Sequence, residues 1–207
     1  MEALWASFAT VVGIWVVTVV TPGPNFLATV HATLARSRRS GLLVAAGIAL
    51  GTALWGTASL FGLGIAFKAA GGLYEAVKIA GAAYLVYVGA RMLLSARRAG
   101  AQSDPSGPAV SGFRAFRHGL VTDLSNPKAA AFFTSLFAVA VPPSAPLWFD
   151  GLLVGSVTAV AGGWYALCAW AMAADPVVAF YQRIARGVSA VAGVVFIGLG
   201  LRLATER

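Results

Sequence analysis

Charge is what this sequence has least of. Only 11% of its 207 residues are Asp, Glu, Lys or Arg, against about 25% in an ordinary soluble domain. A chain so poor in charge and 59% hydrophobic cannot clothe itself for water; it reads as an integral membrane protein with most of its length in the bilayer. Motifs that carry enzyme chemistry are absent too. There is no Gly-x-Ser-x-Gly elbow, no His-Glu-x-x-His, no paired catalytic aspartates and no phosphate-cradling loop, so no enzyme is expected. The single cysteine, Cys168, excludes an internal disulfide and a Cys-based metal cluster. Within its Ala-Leu-Trp run it reads as a small buried apolar residue. No cofactor or metal is expected. Nor does the N-terminus, with Glu2 and no basic segment, look like a signal peptide; the apolar run after it is too long for one, and an uncleaved first helix is expected.

What the sequence does have is long runs without charge, at 3–35, 41–67, 129–149 and 151–174, each meeting the ~20 residues a spanning helix needs. Six helices are expected, at about 4–34, 41–67, 73–94, 113–141, 147–173 and 188–204, with Asp175-Pro176 stopping the fifth. A polar linker at about 97–111 divides them. The net charge of +8 would suggest nucleic acid in a soluble protein. Here the basic residues cluster at helix ends and act as topology signals, so no nucleic acid is expected. Arg36, Arg38, Arg39, Arg97, Arg98, Arg114, Arg117, Arg183 and Arg186 fall on one side, and Lys68, Arg202 and Arg207 on the other. The bias puts the first group in the cytoplasm and both termini outside.

Two of the six helices should not be continuous. The run at 3–35 would reach ~50 Å as one helix, well beyond a hydrocarbon core of ~30 Å. Thr21-Pro22-Gly23-Pro24-Asn25 lies in its middle, where two prolines remove two backbone donors and push Thr21 and Gly23 out of the helical region. The orphaned carbonyls cost several kcal/mol each in lipid, so broken backbone is tolerated only against protein or a cavity. The fourth helix is interrupted likewise at Asn126-Pro127. Each broken helix opens a set of three, and three being odd, the second set enters from the opposite side. The expected fold is a single all-α transmembrane domain, 1–207, of two inverted three-helix repeats (about 1–96 and 112–207). Matched interruptions of this kind point to a transporter binding site near the midplane.

Thr21-Pro-Gly-Pro-Asn25 after an apolar run, with Asn126-Pro-Lys128-Ala followed by Phe132-Phe133, resembles the LysE/RhtB superfamily of amino-acid exporters. The resemblance covers nearly the whole chain and includes Ser37-Arg38-Arg39, Gly47, Gly51, Gly81-Ala-Ala-Tyr-Leu85 and Gly89. Gly51 with Trp55, Tyr181-Gln182-Arg183 and the Gly-rich last helix are most similar to the threonine-efflux branch. The resemblance implies a secondary exporter of small amino acids, threonine- or homoserine-like, driven by the proton-motive force in a bacterial inner membrane.

The waist suits such a substrate. A zwitterion needs donors for its carboxylate and acceptors for its ammonium; a half-helix starting at Pro24 offers N–H groups and a positive dipole end, and leftover carbonyls offer acceptors. Thr21, Gly23, Pro24, Asn25, Asn126, Pro127 and Lys128 are the candidate substrate-binding residues. Alternatively, they only cap the broken backbone. Asp123 is the candidate proton carrier, and Lys128 a carboxylate ligand or gate; five residues apart, the two are expected to share a cavity and pair, since a lone charge at mid-bilayer costs ~2.5–3.5 kcal/mol. Thr52, Trp55, Trp164 and Tyr165 are candidate walls, though aromatics in a bundle are more often packing. His31, close before Arg36, reads as interfacial rather than proton-coupling, and Glu75 with Lys78 as a surface ion pair. A passive channel, or export of another amino acid or small metabolite, is the alternative function. The small face at 193–200 suits contact within the chain or between copies, leaving a homodimer open.

Overall fold

The first apolar run breaks where its prolines dictate. In a computed structural model of the chain, α1 (Glu2–Val20) and α2 (Pro24–Ala35) are separate helices joined by Thr21, Pro22 and Gly23. Thr21 and Gly23 both adopt extended backbone, as residues preceding proline prefer. Pro24 then opens α2 from its first turn, where a missing N–H costs nothing. The fourth apolar run breaks as well. α5 (Phe113–Leu124) stops at Ser125 and Asn126, and α6 (Pro127–Ala131) leads into a π-helical turn, Phe132–Leu136. The other helices are α3 (Arg38–Lys68), α4 (Gly72–Arg97), α7 (Leu147–Ala171) and α8 (Asp175–Thr205). The structure describes residues 1–68, 72–97, 112–136, 140–142, 144–172 and 175–205, and the side chains among them except 61–78, 81, 95–97, 136, 175–183, 185, 186 and 203. All the described secondary structure is helical.

One boundary departs clearly from expectation. The last helix starts at Asp175, not near 188, so Arg183 and Arg186 lie within α8 and not in a connection. Asp175-Pro176 does end the preceding helix, but the same pair also starts the next, because proline is as well suited to a first turn as it is unsuited to an interior. The linker at 98–111, the side chains of Glu75 and Lys78, and the Tyr181-Gln182-Arg183 stretch lie outside the described residues or side chains.

Among the described residues α1, α3 over Arg38–Leu60, and α7 are long and apolar enough to cross a membrane, and Ala82–Leu94 and Gly187–Arg202 are shorter apolar stretches. The distribution of side chains is that of a membrane protein. Trp170 and Val194 are 65% and 61% exposed while Asp123 is 0% and Lys128 8%, the reverse of a soluble domain and the arrangement lipid demands.

The core runs along one face of α7. Phe149, Leu153, Val157, Ala161, Tyr165 and Cys168 are all buried, at helical spacing. They join Val11, Trp15 and Val19 of α1, Val44 and Ile48 of α3, and Phe132 and Phe133 of the π turn. Trp15 is fixed twice: its ring packs at 4.4 Å and 5.0 Å from those of Phe132 and Phe133, and its Nε1 donates to the Val157 carbonyl at 2.8 Å.

Glycine sets how closely two helix pairs approach. On α3, Gly47 lies against the Phe116 carbonyl of α5, and Gly119 of α5 against the Val44 carbonyl. A Cβ at either would overlap backbone, so α3 and α5 press together as small-residue membrane interfaces do. The α4–α8 pair repeats the device: a Cβ on Gly89 would lie 2.7 Å from the Gly193 carbonyl, and one on Gly200 2.7 Å from that of Ala82. The small face at 193–200 is therefore used inside the chain, apart from Gly198, which has nothing within 4 Å.

Candidate functional site

The two breaks meet. Lys128, in the first turn of α6, extends its Nζ to the carbonyl of Thr21 at the end of α1, 2.7 Å away. Thr21 O is one of the carbonyls orphaned by the waist, since the residue that would have paired with it, Asn25, belongs to the next helix. Gly23 makes room for this contact; a Cβ there would lie 3.3 Å from Lys128 Nζ. A second orphan, Val19 O, receives the Tyr165 hydroxyl of α7 at a longer 3.5 Å. Thr21 meanwhile turns its own hydroxyl back onto Val17 O, 2.6 Å away.

The contact in the other direction is made by Asn25, in the first turn of α2. Its Nδ2 donates to Asp123 Oδ1 at 2.6 Å. The other carboxylate oxygen, Oδ2, lies 3.5 Å from the Thr52 hydroxyl, and the Asp123 main-chain carbonyl accepts from Trp55 Nε1 at 3.3 Å. Gly51, one turn of α3 away from Trp55, leaves the space: a Cβ there would stand 2.6 Å from Asp123 Oδ2. Asp123 and Lys128 share the site, as expected, and lie within electrostatic reach of each other, but they form no direct hydrogen bond or ion pair; each instead hydrogen-bonds across to the first broken helix.

Helix dipoles explain the crossed arrangement. Asp123 stands at the C-terminal end of α5 and Lys128 at the N-terminal end of α6, so each charge has the wrong sign for its own helix end. Each is compensated by the opposite break, Asp123 by the first turn of α2 and Lys128 by the last carbonyls of α1. Asn126 serves its own helix: its Oδ1 accepts from Lys128 N at 3.0 Å as the N-cap of α6. The Pro127 carbonyl accepts from the Tyr84 hydroxyl of α4 at 3.1 Å.

Thr21, Gly23, Pro24, Asn25, Thr52, Trp55, Asp123, Asn126, Pro127 and Lys128 thus come together around the two breaks, with Tyr165 at the waist's edge. Trp164 is not among the partners; its Nε1 is enclosed without one. His31 also stays outside this network, with its Nε2 enclosed and unpartnered. Two contributors are absent from the sequence reading of the site, Gly51 and Tyr84, which figure there only among the residues of the family resemblance. For Gly51 a signal was present, its place one turn before Trp55 on the helix that carries Thr52. Apart from this cluster, an apolar groove of about 570 Å³ runs between α1 and α8, lined by Val16, Val17, Val20, Ile184, Gly187, Val188 and Val191. None of the candidate site residues lines it.

Helices broken at proline within apolar runs, with buried charge gathered on the breaks, are the arrangement of a membrane translocator. The chain belongs to the LysE type translocator family, whose pattern matches residues 16–207. It is 30% identical over 203 residues to the threonine efflux protein of Escherichia coli strain K12, covering 97% of this chain and 98% of that one. It is 32% identical over 217 residues to the uncharacterized membrane protein YahN of the same strain, covering 100% and 92%. With the leucine efflux protein of Salmonella choleraesuis it shares 27% identity over 195 residues, covering 90% and 89%. No solved structure matches it.

Proposed function

We propose that this chain exports small amino acids, threonine- or homoserine-like, from the bacterial cytoplasm across the inner membrane, by alternating access and in exchange for protons. The observation that carries the reading is the meeting of the two breaks: Lys128 on Thr21 O and Asn25 on Asp123 join broken helices from opposite halves of the chain. Relatives named for threonine and leucine efflux support the substrate class. Six spans as two inverted repeats fit the packing. The first half of each broken helix lies on the second helix of the other half, α1 on α7 and α5 on α3, while α4 lies along α8. With both termini outside, the Arg36–Arg39 and Arg114–Arg117 ends face the cytoplasm.

In this mechanism the first turn of α2 receives the substrate carboxylate, and Lys128 either assists or, holding Thr21 O, keeps the waist shut as a gate. Acceptors around Asn25 and Asn126 receive the ammonium. Asp123 carries the proton. Rocking one repeat against the other exposes the breaks to each side in turn.

The test is efflux from export-deficient cells loaded with a threonine-containing dipeptide, with and without this protein and a proton uncoupler. Faster threonine efflux that collapses with the uncoupler is expected. Efflux of a different amino acid would keep the mechanism and discard the threonine assignment. Flux that ignores the gradient and does not saturate would mean a passive channel and overturn the exchange.

A further inference from the structure

Asn25 is hydrogen-bonded on one side only. Its Nδ2 is engaged by Asp123 at 2.6 Å, yet its Oδ1 is enclosed and has no partner, on a residue only 4% exposed. A buried acceptor left unmatched costs about 1–3 kcal/mol and calls for a reason. The orientation of the amide is itself dictated: both oxygens of an ionised carboxylate accept, so Asn25 must turn its NH2 to Asp123 and its carbonyl oxygen away. With a proton on the Asp123 oxygen that faces it, the demand reverses, because that O–H needs an acceptor and Asn25 Oδ1 can supply it.

We propose that the Asn25 amide is a two-position relay that makes proton and substrate mutually exclusive, a step that rests on the exporter reading above. With Asp123 ionised, Asn25 offers its unmatched oxygen to the substrate ammonium once the waist opens. When Asp123 takes a proton from the outside, the amide rotates, Oδ1 accepts the carboxyl O–H, and the NH2 now faces the ammonium and expels it. The proton leaves Asp123 to the cytoplasm before the next ammonium binds there. Nothing else around Asp123 duplicates the relay. From α3 it meets Gly51, Thr52 and Trp55, which do not titrate in this range. The remaining charged group near it among the described residues is Lys128, committed to Thr21 O. Thr52, 3.5 Å from Oδ2, can donate to the carboxylate or accept from the carboxyl by turning its hydroxyl alone, so protonation does not make it exchange one polar group for another as the amide does.

The experiment is threonine binding to the purified full-length protein in lipid vesicles at pH about 5.5 and about 8. Wild type should bind about tenfold or more tightly at the higher pH, within the range of ordinary two-site coupling. Asn25→Ala should bind weakly at both and bring the ratio to within about twofold. A ratio in Asn25→Ala equal to wild type would mean that the ammonium senses Asp123 directly, and would overturn the relay; so would a wild type with no pH dependence. Should the alanine variant not reach the membrane, infrared difference spectra of wild type labelled with isotopic asparagine decide. Adding threonine at low pH should remove a protonated-carboxyl band, one missing from Asp123→Asn, and shift an asparagine amide band with it. An amide band that stays put overturns the relay. Failure of wild type to export any amino acid in the dipeptide assay would instead overturn the exporter reading, and is seen separately.

Discussion

The two breaks solve one problem in opposite ways. At the first, three residues leave the helix and the prolines strip donors, yet the waist has no side chain of its own to meet the orphaned carbonyls. Lys128 and Tyr165 do so from the other half of the chain. At the second, only Ser125 and Asn126 interrupt the helix, and Asn126 caps α6 with its own side chain. The first break depends on the rest of the protein; the second largely repairs itself and carries the charges. A hinge whose closure depends on a distant lysine can open when that lysine lets go. A hinge capped from within keeps its shape and can serve as the fixed side of a moving joint.

The contrast between the breaks disappears most completely if the halves are held apart. Gly119→Ala puts a methyl group against the Val44 carbonyl, and backbone cannot yield as a side chain can. Forcing α5 off α3 should cost ~3 kcal/mol, the upper part of the usual range for overpacking. It should also separate Asp123 from Asn25 and abolish efflux. Gly155→Ala, a glycine with nothing within 4 Å, should leave thermal stability in detergent within ~0.5 kcal/mol of wild type. Equal effects of the two substitutions would show that close α3–α5 contact is not what brings the breaks together.

Lys128→Met tests the dependence of the first break at smaller cost. It orphans Thr21 O but also removes a buried ammonium that was expensive to desolvate, so the net loss should be ~1–2 kcal/mol. The loosening should appear in the last turn of α1 and the first of α2 as faster amide hydrogen exchange, with α5 little changed. Protection unchanged at 17–27 would mean that the first break does not depend on the lysine.

Local chemistry in the sequence located both breaks to within a residue or so, because proline acts on its own neighbours through sterics and a missing donor. It also marked most of the residues gathered there, since a polar or charged side chain in an apolar run is conspicuous. Two things were not legible. The hydrogen bonds of Asp123 and Lys128 to the first break span 98 and 107 residues of chain, and spacing along one helix suggested a direct pair between the two instead. Helix dipoles decide the matter, and they become visible only when the helix ends are known. The start of the last helix was misread for a related reason. Asp175-Pro176 is both a stop and a start, and the arginines at 183 and 186 resembled a loop only while the helix was assumed to begin after them.

The smallest effect, and the one that separates capping from substrate contact, belongs to Asn126. Its Oδ1 meets Lys128 N at 3.0 Å, the geometry of an N-cap, whose loss to alanine typically costs ~1 kcal/mol. Asn126→Ala should therefore fold, reach the membrane and lose about that much stability, with hydrogen exchange faster only around α6. If Asn126 did nothing beyond this, efflux per molecule would stay near wild type. If its remaining amide group also meets the substrate, efflux should fall roughly tenfold or more at low substrate concentration, the effect of ~1.4 kcal/mol of lost binding, and recover in part as substrate is raised. A protein that is stable to within ~1 kcal/mol and exports normally at every concentration would confine Asn126 to the backbone, and leave recognition of the zwitterion to the first break alone.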